Sequence, residues 1–322
     1  MSQTNAQSVH LYENGRLLVF GCAALAAAVL YRALPDSRGM QVMAMIAIAI
    51  AIWHGAFDDV LAVQVLKPRY GTGWKPYFYG GYVALAGGVG LVWWKAPLVM
   101  LNLFLLYSAL HFGTEMEQQV SVRTMAFGSA AGLVPIAAAC HWWPMQVSSI
   151  FETMLHQQQV YAWPLTEIIG GALWPLLLVV SVGMLHESFR QRIRSVLLVG
   201  VQLFLFRFCS PVLAFALYFC AWHTPEHMVS TSLDVTGRFQ WSRLREHLRR
   251  GVYAWLVSLA ALAFLCWWAR HSLSTIAGLI FVALSALTVP HMVLAEICRR
   301  HTETAGHNTR ATVFPVQKAT YS

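Results

Sequence analysis

Five histidines lie inside or at the end of long apolar stretches: His54 in WHGAFDD, His111 in LHFGTEME, His223 and His227 in WHTPEH, and His291 in VPHM. An ionisable side chain in such a stretch is costly, and it is usually retained for function or pairing. Neutral imidazole is also a strong ligand for first-row metals, so several imidazoles brought together make a metal site. His223 and His227 stand at i and i+4, the spacing by which one helical face offers two imidazoles to one ion. Pro225 lies between them and Pro290 directly precedes His291; each proline removes a backbone hydrogen bond and can kink its helix there. Asp58 is i+4 from His54, and Glu115 is i+4 from His111 if that helix continues. A carboxylate so placed accepts the second ring N–H of a ligating histidine and fixes its tautomer. Asp59, Glu117 and Glu226 share these motifs but are equally at home facing water near a helix end. A lone intramembrane histidine is as often a hydrogen-bonding link between helices as a ligand. The metal reading rests on five together, and the other eight histidines, in loops, tails and helix ends, need no special chemistry.

The elements that carry these residues are membrane helices. Of the 322 residues 57% are hydrophobic and 11% charged, against roughly a quarter charged in a soluble domain. Ten apolar segments are expected, over 17–34, 40–66, 77–94, 97–113, 124–140, 168–186, 195–207, 211–230, 251–269 and 275–298. The seventh is short enough to be re-entrant and the first resembles a weak signal peptide, so eight or nine crossings are the alternative count. With ten crossings and the N-terminus inside, 17 of the 22 Lys and Arg residues fall on the inner side, including five arginines between Arg238 and Arg250. The outer side holds Arg32, Arg38, Lys95, Arg207 and Arg270, an asymmetry that sets N-in, C-in as the working topology. The expected fold is all-α, a polytopic bundle of about 8–10 transmembrane helices in a bacterial inner membrane.

On this topology the five histidines lie 12 to 16 residues from the outer ends of their segments, a common depth of ~18 to 24 Å. Five at one depth favour one site. The net charge of +8 is scattered between hydrophobic stretches instead of gathered on one face, which argues against a nucleic-acid partner. Six cysteines without a C-x-x-C pair indicate neither a zinc module nor a disulfide framework. Residues 145–163 are too polar to span but carry Val147, Ile150, Phe151, Met154 and Leu155 at helical spacing, which suits either an interfacial helix or a plain loop. The domain layout is a polar segment over 1–16, a transmembrane catalytic domain over 17–300 and a disordered tail over 301–322.

The motifs WHGAFDD, HFG, YFCAWHTPEH and VPHM, in this order and helical setting, resemble the Brp/Blh family of membrane β-carotene 15,15'-dioxygenases, which make retinal for microbial rhodopsins. The resemblance runs from about Trp53 to Leu294. It implies an Fe(2+) cofactor held by His54, His111, His223 and either His227 or His291, with all five near the metal. It also implies that O2 cleaves the central double bond of β-carotene into two retinal molecules, the product going to a rhodopsin. The first motif more usually reads P-H-G-A-x-D-H, where Trp53 and Asp59 stand here, and the third usually has Ser and Arg where this chain has Thr224, Pro225 and Glu226.

Two other readings use the same histidines. A di-iron membrane lipid desaturase or hydroxylase needs around eight histidines with adjacent H-H pairs, and this chain has none. A transporter or proton pathway would relay protons along them without a metal.

Overall fold

The computed structural model describes residues 3–34, 44–48, 55, 58–120, 125–156, 158–225, 228, 240–269 and 273–305. Among these every regular element is helical and none is a strand. In chain order they are α1 (Gln3–Ala33), α2 (Asp58–Tyr70), α3 (Trp74–Lys95), α4 (Pro97–Val120), α5 (Met125–Trp142), α6 (Pro144–Leu155), α7 (Ala162–Gly171), α8 (Leu173–Met184), α9 (Phe189–Phe208), α10 (Pro211–Tyr218), α11 (Trp241–Ala269) and α12 (Leu273–Ala305). A π-helical turn, Phe219–His223, continues α10. Residues 44–48, from the second expected segment, are also helical, and the tail beyond 305 lies outside the described residues.

Three stretches are long and apolar enough to cross a membrane: Gly15–Ala33 in α1, Gln159–Met184 through α7 and α8, and Thr275–Cys298 in α12. They make the chain a membrane protein by length and composition. Large apolar side chains such as Val83, Ile168, Leu178 and Val257 are left exposed, which an acyl-chain environment tolerates and water does not. Prolines set several starts: Pro97, Pro144 and Pro211 each open a helix, at the position where the missing N–H has no intrahelical partner to lose. The helix that covers the seventh expected segment, α9, runs for 20 residues, roughly 30 Å, longer than its apolar part. Its first turns hold Arg190, Arg192 and Arg194, which hid its length from an apolar count. A capping box fixes that start: the Ser188 hydroxyl accepts from Gln191 N and the Gln191 side chain accepts from Ser188 N.

Residues 144–155 are a helix, not a plain loop, and the apolar face read from spacing is buried within the protein, where α6 packs against α12 and α7. The sixth segment begins earlier than expected, at Gln159, and is broken at Ala172 between α7 and α8.

The closest helix pair is α4 with α5. A Cβ on Gly132 would collide with the Ala109 carbonyl oxygen and stand 2.5 Å from Gly113 N, and one on Gly113 would collide with the Gly128 carbonyl. Ala109 and Gly113 on one helix therefore meet Gly128 and Gly132 on the other backbone to backbone, the small-xxx-small contact of membrane helices. This seam fixes the stretch of α4 that carries His111. Gly132→Val should destabilise the protein by about 1–3 kcal/mol or more, read as a lower melting temperature in detergent. Gly87→Ala, which meets nothing within 4 Å, should melt like wild type, and equal melting of the two variants would contradict the seam.

Candidate metal centre

Three of the five histidines meet in the interior. His111 comes from the middle of α4, His223 ends the π-helical turn, and His291 follows Pro290 in α12. The His111 ring centre is 4.9 Å from that of His223 and 5.6 Å from that of His291, both edge to face. His223 and His291 are 1% and 3% exposed. His54, His227 and Glu226 lie outside the described residues, as does the side chain of Glu115, although α4 does continue through Glu115.

The π-helical turn has a local cause. Pro225 cannot donate a backbone hydrogen bond, and its ring crowds the carbonyl of Ala221 four residues earlier. A widened turn just ahead of it relieves that crowding. Cys220 Sγ donates to the Ala47 carbonyl at 3.0 Å, which ties the turn to the helical residues preceding WHGAFDD. Phe219 stacks on His223 at 4.6 Å and 27°, and Phe112 meets the same imidazole edge-on at 5.3 Å.

Asp58 opens α2 and is 1% exposed. Its Oδ1 accepts from His291 Nδ1 at 2.6 Å. The i+4 spacing from His54 had suggested a different partner, and a contact across 233 residues leaves no trace in local spacing. The Tyr82 hydroxyl donates to the Leu287 carbonyl at 3.1 Å and stands beside the Asp58 carboxylate. A Cβ on Gly55 would lie 4.0 Å from that hydroxyl. Gly55 and Asp58, both just after His54 in WHGAFDD, thus reach the same corner as His291. Trp93 Nε1, donating to Ser285 Oγ at 2.6 Å, pins α3 to α12 one and a half turns before Pro290.

Sequence spacing missed a second group. Phe20 of α1 packs on Tyr218 and Trp222, with ring centres 6.4 and 5.6 Å away. The Arg16 guanidinium lies 3.8 Å from the Trp222 ring centre, a cation–π contact one residue from His223. Neither signal is local, since α1 meets this turn only in the folded chain.

The donor set suits a divalent first-row ion. Two imidazoles sharing one ion through nitrogens at ~2.1 Å put their ring centres roughly 4.5–5.3 Å apart, close to the 4.9 and 5.6 Å seen. With Nδ1 of His291 engaged by Asp58, Nε2 is left as the ligating atom. Among the described residues no three His, Cys, Asp or Glu side chains already form a closed set around one point.

The site is thus a pair of buried imidazoles, His223 and His291, with the half-buried His111 beside them, drawn from three separated motifs of a helical membrane protein and backed by one carboxylate. The sequence model of the β-carotene 15,15'-dioxygenase family matches residues 43–298, and the chain belongs to that family, as a dioxygenase and hence an oxidoreductase. A β-carotene 15,15'-dioxygenase of uncultured marine bacterium 66A03 is 24% identical over 288 residues, covering 81% of this chain and 96% of that protein. No solved structure matches. The match takes in all five histidines and Asp58, while α1 with Arg16 and Phe20 lies outside it.

Replacing Asp58 by alanine should lower divalent-metal retention roughly 10- to 100-fold with helix content unchanged. Metal retention equal to wild type would show that the Asp58–His291 contact only packs the helices.

Proposed function

We propose that this protein cleaves the central 15,15' double bond of β-carotene with O2, at one Fe(2+) ion, to give two molecules of retinal. The observation that carries the reading is the juxtaposition of His111, His223 and His291 from the motifs HFG, WHTPEH and VPHM in a chain of this family. The ligands are drawn from these three with His54 and His227, the other two histidines of the apolar stretches. Iron, when bound, supplies open coordination positions and the redox chemistry by which O2 reacts with an alkene.

The protein's own work is placement. Asp58 takes the Nδ1–H of His291, fixes the tautomer and leaves Nε2 for the site. The Tyr82 hydroxyl, hydrogen-bonded to the Leu287 carbonyl, stands beside that carboxylate. Phe112 and Phe219 wall the His223 ring and keep water from it. Phe219 is also the last of a row of rings from α12 and α10: Phe281 and Phe215 lie 5.0 Å apart, and Phe215 stacks on Phe219 at 5.6 Å. A rigid hydrocarbon dissolved in the bilayer can slide along such a row sideways and needs no polar contact, so position along the row selects the bond that is cut. The ten-helix, N-in and C-in arrangement in a bacterial inner membrane suits that lateral entry. A microbial rhodopsin is the partner that would consume the product.

The test is expression in a bacterium that accumulates β-carotene, followed by pigment extraction. Loss of orange colour with appearance of retinal is expected, and unchanged carotene with the protein present in the membrane would refute the reading. Purified protein should carry close to one iron per chain, because five imidazoles fill one coordination sphere and not two. His223→Ala and His227→Ala should each abolish cleavage and lower iron content, while His186→Ala and His271→Ala should cleave like wild type. Two irons per chain would favour the di-iron desaturase reading.

A further inference from the structure

Away from the histidines, the ends of α1 and α9 and the corner between α5 and α6 border an open cavity of about 300 Å³ lined by Tyr31, Arg32, Trp143, Arg207 and Phe208. Its two charged walls are guanidinium groups, one from the last turn of each helix. Among the described residues no carboxylate lines the cavity and neither arginine is in an ion pair with one. Like charges turned onto one space repel, and an anion between them reverses the sign of that interaction. A cation in the last turn complements the helix dipole, which would explain each arginine separately. It does not explain why two helices bring theirs to one aromatic-walled cavity.

The walls narrow the ligand. Trp143 meets Tyr31 edge to face at 6.2 Å and donates its indole N–H to the Phe206 carbonyl at 2.7 Å, so it is fixed as a wall and its donor is spent. Arg207 lies 5.6 Å from the Phe208 ring centre. Beside the Tyr31 hydroxyl, the charged capacity is the two planar forks of N–H donors, whose geometry matches phosphate oxygens. The apolar stretch Gly15–Ala33 ends at this cavity, the level where Arg, Tyr and Trp meet headgroups. On the topology read from sequence both arginines also belong to the five basic residues on the outer side, where such residues are disfavoured without a reason to be there.

We infer that this cavity binds a phosphate monoanion, supplied by the headgroup of an anionic phospholipid. The wild-type protein, in mixed micelles with equal phosphatidylglycerol and phosphatidylcholine, would be analysed by native mass spectrometry beside the Arg32→Gln/Arg207→Gln variant. Both positions are exposed, so the variant should fold, with unchanged helix content as the check. The expected result is retention of phosphatidylglycerol over phosphatidylcholine by roughly tenfold or more in the wild type, with the preference lost in the variant. Equal retention of the two lipids by the wild type, or an undiminished preference in the variant, would overturn the inference. A titration with inorganic phosphate in lipid-free detergent separates the sources: binding as tight as that of the lipid, abolished in the variant, would support the anion site with free phosphate as its ligand.

Discussion

The contact between the Asp58 carboxylate and the His291 imidazole, 2.6 Å apart in an apolar interior, constrains everything around it. Neither group can be buried there without a partner, so α2 and α12 are held together at this point. The surrounding packing serves that approach. Leu61, Ala62, Trp74, Phe78, Leu294 and Cys298 form an apolar cluster between α2, α3 and α12, and Tyr82 adds a hydroxyl beside the carboxylate. His291 is then held with one ring nitrogen engaged and the other turned to His111.

His111 and His223 reach that place by different devices. The glycine seam between α4 and α5 removes the side-chain layer that normally spaces two helices, so His111 sits on a backbone with almost no freedom to shift. His223 depends on the π-helical turn, which changes the angle at which residues leave the helix and lets Phe219 stack on the imidazole. One histidine is placed by close helix packing, one by a local irregularity and one by a charged partner. All three devices converge on one layer.

Much of this was legible in the sequence. The apolar segments and the histidines within them follow from composition and spacing, and α3, α4, α5, α11 and α12 each cover an expected segment, although α11 starts at Trp241 and α12 runs on to Ala305. The pairing of Asp58 with His291 did not follow, because i+4 spacing reports neighbours on one helix and is blind to a partner over two hundred residues away. Arg16 over Trp222 is hidden for the same reason. The polar start of α9 hid the first two turns of that helix from an apolar count, and the burial of α6 could not be told from interfacial amphipathicity, since both produce one apolar face. The family match begins at residue 43, so α1, whose Phe20 and Arg16 pack on Trp222 beside His223, lies outside it.

X-ray absorption at the iron edge of the purified protein tests the central claim most directly. The account predicts a mononuclear iron with a first coordination shell dominated by imidazole nitrogens, and a visible loss of ordered imidazole scattering in a His291→Ala variant. An iron shell without imidazole, a second metal at short distance, or a spectrum unchanged by the loss of His291 would contradict it.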